Sequence, residues 1–257
     1  MTISKLSKFI VVALAGVLAC GVLLLAGCAG GGASSSSASS SSSASKSASS
    51  SSSSSSSKSS SASSSSASGY VSSVEAGDKY GSGTHHATVT VEGYDPFTIE
   101  LNADAAPVSV SNFCKLASEG YYDGKTFYRI QQDFCMQGGT KGNSASGQDS
   151  SLTPIVGEFA SNGVNNPLAA DFKKGTVAMA RTNAVNSATS TFFITLGAQY
   201  ASALNDQYAA FGTIDDAGMA IVDKIVADYL PAADQSNMGV ITDEAKQAKI
   251  ASIKVTD

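Results

Sequence analysis

The sequence predicts a mainly β domain, a closed antiparallel barrel capped by two helices, preceded by a long stretch that takes no part in the fold. Three observations point there. Short runs of alternating apolar and polar residues, bounded by turn residues, recur between positions 87 and 255. Only two segments carry apolar residues at helical spacing, and many strands with few helices favour closure, which removes open sheet edges. Ahead of them, residues 30–69 are nearly all serine and alanine, too poor in apolar side chains to offset the entropy of ordering.

Residues 1–28 read as an export signal. Lys5 and Lys8 give a basic start, and positions 9–26 are apolar apart from glycine and Cys20. A run of about 18 residues is at the lower limit for crossing a bilayer, so length alone does not separate a cleaved signal from an uncleaved anchor. The end of the run decides: Leu25-Ala26-Gly27-Cys28 resembles the lipobox of bacterial lipoproteins, which implies cleavage before Cys28 and diacylglycerol attachment to its thiol. Cys20, after Leu18-Ala19, is a weaker candidate that leaves a short apolar core. Either way the remainder is expected on the outer side of the cytoplasmic membrane. Residues 29–79 are then a disordered linker; a Ser-rich coil of about 36 residues spans roughly 30–35 Å and reaches on the order of 120 Å when extended.

The folded domain is expected at 80–257. Ala87, Val89 and Val91 alternate with Thr88, Thr90 and Glu92, the period of a half-buried strand. Gly93-Tyr94-Asp95-Pro96 is turn chemistry, and Phe97, Ile99 and Leu101 resume the alternation to make a hairpin. Pro107 suits the first turn of a helix whose apolar stripe is Val110, Phe113, Leu116 and Ala117, with Gly120 ending it. Asp123-Gly124 turns the chain into two short strands around a polar turn, from Phe127 to Gly139. Residues 140–174, rich in Gly, Ser and Asn, form a long excursion with little regular structure, a length that signals either function or misassigned elements. Strands are expected at 175–180, 192–196 and 210–214, a helix at 218–229 on Ile221, Val222, Ile225 and Val226, and a last strand on Ile250, Ile253 and Val255.

The chain has 257 residues and a net charge of -5, which argues against a nucleic-acid partner. His85 and His86 are the only histidines; adjacent residues on a strand point to opposite faces and make a poor metal pair. With no further histidine, the inventory argues against Ser-His-Asp and Cys-His hydrolase chemistry. Gly138-Gly139-Thr140-Lys141-Gly142 lacks the spacing of a phosphate-binding loop, and no cysteine cluster has metal-binding spacing. Cys114 and Cys135 remain outside the signal region; a disulfide between them needs their Cα atoms within about 7 Å and is not expected.

The run Phe127-Tyr128-Arg129-Ile130-Gln131-Gln132-Asp133-Phe134-Cys135-Met136-Gln137-Gly138-Gly139 sets one permanent cation among apolar and aromatic side chains. Burying Arg129 beside Phe127, Ile130 and Phe134 demands partners for its donors, and Gln137 can supply one. This stretch resembles the signature of cyclophilin-type peptidyl-prolyl isomerases, an F-[HY]-R-[IV] run leading into G-F-x-x-Q-G-G, with Asp133 at a usual glycine. Gly175-Thr176-Val177-Ala178-Met179-Ala180-Arg181-Thr182-Asn183 and Ser190-Thr191-Phe192-Phe193-Ile194 are similar to the bacterial family's S-M-A-R-T and S-Q-F-F-I. Leu204-Asn205-Asp206-Gln207-Tyr208-Ala209-Ala210-Phe211-Gly212 is similar to L-[DN]-G-x-[YH]-x-x-F-G. Taken singly, each apolar member suits simple core packing; three stretches in the family's order make coincidence remote.

The resemblance implies an eight-stranded barrel over residues 80–257 and an enzyme that rotates X-Pro amides without a cofactor or metal, as a monomer. It implies Arg129 as the catalytic residue, with Phe134, Cys135, Gln137, Ala180, Arg181, Thr182, Thr191, Phe193, Leu204 and Tyr208 contacting the peptide. The partners implied are X-Pro segments of exported polypeptides, with a membrane reached through lipidated Cys28. Thr191 at a usual Gln, Ala203 where many eukaryotic members carry Trp, and Cys135 at a usual Met are departures. They imply reduced turnover and weak cyclosporin binding, and they keep open a second function class, a proline-peptide binding module with little turnover.

Overall fold

The structure is a computed structural model that describes residues 69–147 and 149–257. The export signal, Cys28 and the serine tract to residue 68 lie outside the described residues. Eight strands close into an antiparallel barrel in the order β1-β2-β7-β5-β6-β4-β3-β8. They are β1 (Thr84–Val91), β2 (Phe97–Asn102), β3 (Thr126–Gln131), β4 (Cys135–Gly138), β5 (Thr176–Met179), β6 (Phe192–Thr195), β7 (Ala210–Thr213) and β8 (Ala248–Val255). Every expected strand is present. β1 and β2 form the hairpin read from the Gly93–Pro96 turn, with Ala87 opposite Ile99 and Val89 opposite Phe97.

Helix α1 (Pro107–Ser118) starts on its proline and buries Val110, Phe113, Leu116 and Ala117. Phe113 meets Tyr122, Phe192 and Phe211 at ring-centroid distances of 5.1–5.4 Å, an aromatic centre for the core. Ala106 cannot cap this helix through its side chain. Glu158 of the long excursion does so instead, accepting from Val108 N at 2.9 Å and from Ser109 N and Oγ at 2.8 and 2.6 Å. Burial pushes the Glu158 carboxyl up even with these three bonds. α2 (Ala201–Leu204) is a single turn with no signal at helical period, and four 3-10 turns join it as additions to the two helices expected. α3 (Asp216–Tyr229) is capped by Asp215, whose Oδ1 accepts from Gly218 N at 2.7 Å. It buries Met219, Val222 and Ile225 and leaves Ile221 and Val226 partly covered.

Residues of the expected linker ahead of Tyr80 pair with the domain. Val71 pairs in parallel with Ile155 through Val71 N to Pro154 O and Val156 N to Val71 O, each 2.8 Å. Asp78 fastens the same strap to α1, accepting from Ser111 Oγ at 2.6 Å and meeting Lys115 Nζ at 2.7 Å. The Val71 pairing uses backbone groups, which leave no signature in residue type. Burial works against the Asp78 charge, but Lys115, Ser111 and the Tyr80 N–H together bring its carboxyl down to about 2.

Candidate functional site

A β-bulge aims the central cation. Phe127 pairs with Gly138 and Arg129 with Gln137, so β3 spends two residues where β4 spends one. Strict alternation would put both side chains on one face. The bulge instead sends Phe127 into the core, 5.9 Å from the Phe192 ring, and leaves Arg129 half-buried on the outer face. Gly138 is required here, since a Cβ would strike Thr126 O and lie 2.9 Å from the Phe127 ring.

Beyond the bulge the register is continuous: Arg129 opposite Gln137, Gln137 opposite Phe193, Phe193 opposite Ala178. The neighbouring row, Ile130, Met136, Ile194 and Val177, is fully buried inside the barrel. Cross-strand partners share a face, so β3, β4 and β6 present Arg129, Gln137 and Phe193 side by side.

The Arg129 guanidinium is held at three points. Nε donates to Met238 O at 2.8 Å, Nη1 to Gln137 Oε1 at 3.1 Å and Nη2 to Gln131 Oε1 at 2.6 Å. Its central carbon lies 5.4 Å from the Phe134 ring centroid. Gln137 was legible as a partner; Gln131 and Met238 were not. Met238 holds φ +55°, uncommon for a residue with a Cβ, and this directs its carbonyl at Nε. Gly239 O receives Ile130 N at 2.8 Å and Ile241 N reaches Tyr128 O at 2.8 Å, so the segment lies along β3. Three of five guanidinium donors are thus engaged among the described residues.

The apolar residues of the expected pocket are well covered: Phe134 is 8% exposed, Phe193 4%, Leu204 2% and Cys135 1%. Phe172 stacks behind Phe193 at 6.3 Å and Tyr208 meets it edge-on at 5.6 Å. Burial lifts the Cys135 thiol to about 11, with Arg129 pulling weakly the other way, so it is a neutral small hydrophobe. Cys114 is also buried and free, and no disulfide joins the two. Asp133 turns the chain between β3 and β4 with φ +57°, and Asp206 does the same after Leu204 with φ +56°. Both stand where the family signatures carry glycine, and both adopt the backbone conformation that glycine takes most easily.

Next to β5 and β6, Ala180 N bonds Thr191 O at 2.9 Å, which sets these two half-buried residues together. The Arg181 guanidinium lies over Tyr208 at 4.8 Å and over Phe159 at 5.3 Å, and donates to Gln207 O and Thr182 O. Thr182 is steadied by Ser187 Oγ, 3.0 Å from its N–H. Among the described residues no group of His, Cys, Asp and Glu is arranged to hold a metal. His85 instead contacts Asp257 at 2.6 Å.

The family model for cyclophilin type peptidyl-prolyl cis-trans isomerase matches residues 86–255. The chain is similar to peptidyl-prolyl cis-trans isomerase A of Dickeya dadantii, 38% identical over 148 residues covering 55% of this chain and 70% of that protein. It is also similar to peptidyl-prolyl cis-trans isomerase B of Escherichia coli, 34% identical over 148 residues covering 55% of this chain and 80% of that one. The fold matches a crystal structure of a Cryptosporidium parvum cyclophilin type isomerase with TM-score 0.56 and 22% identity, covering 68% of this chain and 99% of that one. The chain belongs to the cyclophilin-type peptidyl-prolyl cis-trans isomerases.

Proposed function

We propose that this isomerase is a folding catalyst anchored through a lipid on Cys28 to the outer face of the cytoplasmic membrane, where it acts on X-Pro bonds of exported polypeptides with Arg129 as its catalytic residue. Rotation about a peptide bond faces a barrier of roughly 18–20 kcal/mol because the nitrogen lone pair is delocalised into the carbonyl. No nucleophile or proton acceptor is needed, only a site that binds the twisted amide better than either planar form. An Arg129 N–H can bond the proline nitrogen only once conjugation is broken. Phe134, Phe193, Leu204 and Cys135 hold the proline ring, and Gln137 keeps the guanidinium aimed. The Arg181 main chain bonds to no described residue, which suits it to pair with the peptide backbone between Ala180 and Thr182.

The observation that carries the location is Leu25-Ala26-Gly27-Cys28 followed by a serine tract long enough to lift the barrel clear of the bilayer. Fractionating cells that express the wild type or Cys28→Ala, after metabolic labelling with a fatty-acid analogue, tests it. Label and membrane residence should both depend on Cys28, and external protease should reach the barrel in cells with an intact cytoplasmic membrane. Label on a Cys28→Ala chain, or protection of the barrel from protease, contradicts the anchor. Thr191, whose short hydroxyl reaches less far than a Gln amide, favours a second reading in which peptide binding exceeds turnover.

A further inference from the structure

We propose that Tyr200 is a substrate-contacting residue, walling the proline pocket beside Phe134 and offering its phenolic O–H to the bound peptide; this rests on the Arg129–Phe134 face being the isomerase site. The Tyr200 ring lies 4.7 Å from the Phe134 ring centroid at 62°, an edge-to-face contact. The Arg129 guanidinium also lies against the Phe134 ring, so the charge, Phe134 and Tyr200 are consecutive in contact. That flanking fits the low exposure of Phe134.

Tyr200 is held in place by the backbone. It caps α2, and its carbonyl accepts from Ala203 N at 3.0 Å and Leu204 N at 3.2 Å. Its ring is placed by the Phe134 contact and by packing on the core. Ala203 has no bulk to contribute to a pocket wall, and Tyr200, three positions earlier, brings an aromatic ring against Phe134. The ring is half-buried and packs on the core, while its hydroxyl bonds to no described residue. An apolar body with an unengaged donor at its tip, next to the ring that contacts the catalytic guanidinium, is equipped to meet both a proline ring and a backbone carbonyl. Tyrosine makes such contacts at low entropic cost because it has few rotors.

The test uses the full-length chain in detergent and an Ala-Pro tetrapeptide, with exchange followed over a range of peptide concentrations. Tyr200→Phe keeps the ring and removes one donor, so kcat/KM should fall about 5-fold, mainly through KM and with the melting temperature held. Tyr200→Ala also removes the wall, and KM should rise on the order of 10-fold or more. A KM equal to wild type in both variants, or tighter peptide binding by Tyr200→Ala, overturns the proposal, the second because the ring then only covers the pocket. Arg129→Ala run in parallel separates the two failures: if it retains full exchange, the site itself is misplaced; if it is inactive while both Tyr200 variants match wild type, only the Tyr200 role falls.

Discussion

Arg129 donates to Gln137 Oε1 at 3.1 Å, and the Gln137 amide donates in turn to the Tyr128 hydroxyl. The neutral amide therefore has a fixed orientation: its oxygen is committed to the guanidinium because its nitrogen is committed to the phenol. Gln137→Ala should lower kcat/KM about 10-fold by loosening the cation. Arg129→Lys should lose on the order of 100-fold, since an ammonium cannot reproduce a planar fork that meets three acceptors and an aromatic face. Exchange rates of an X-Pro peptide check both, and a Lys variant close to wild type would show that charge alone suffices.

The strap ahead of the barrel should make stability depend on acid. The Asp78 carboxyl titrates near 2 in the folded chain, below its ordinary value of 3.8. Its contribution is present above the ordinary value and lost as pH falls through the folded one. Wild type should therefore melt above Asp78→Asn at pH 7, with the gap closing between about pH 4 and pH 2. Melting curves across that range check it; a gap that persists below pH 2 contradicts the role of the charge.

Asp133 occupies a left-handed turn at φ +57°. A residue with a Cβ is strained there by roughly 1–2 kcal/mol relative to glycine, less for Asp, whose side chain can bond locally. Asp133→Gly should be neutral or stabilising by up to about 1 kcal/mol, in denaturant unfolding, in contrast to most glycine substitutions.

Both thiols of the barrel should be silent in the native state. Burial holds Cys114 near 12 and Cys135 near 11. A chain trimmed to residues 69–257 should react with a disulfide reagent at pH 8 only after unfolding, and then at both cysteines. Rapid native labelling of Cys135 would mean that the pocket opens far more readily than its burial implies.

The fold was legible wherever side-chain period and packing agree. Val89, Val91, Ile99 and Leu101 alternate because one face of β1 and β2 is core, and Val110, Phe113 and Ala117 step at helical spacing for the same reason. Arg129, Gln137 and Phe193 were legible as members of contiguous motifs, and register brings the three together. What escaped was carried by backbone groups or by side chains that act far along the chain or outside the motif's pattern. The bulge at Phe127 and Arg129 is a feature of pairing, not of composition. The Met238 carbonyl reaches Arg129 across 109 positions and leaves no signature in the type of residue 238. Val71 pairs through its N–H and C=O, and Glu158 caps α1 from 49 and 50 positions away.

The most direct measurement follows cis-to-trans exchange of a short X-Pro peptide with wild type, Arg129→Ala and Thr191→Gln. Wild type should accelerate exchange, Arg129→Ala should abolish the acceleration, and Thr191→Gln should raise it several-fold by restoring reach toward the peptide. Peptide binding without acceleration by wild type, or full activity in Arg129→Ala, would contradict a catalytic site built on that guanidinium.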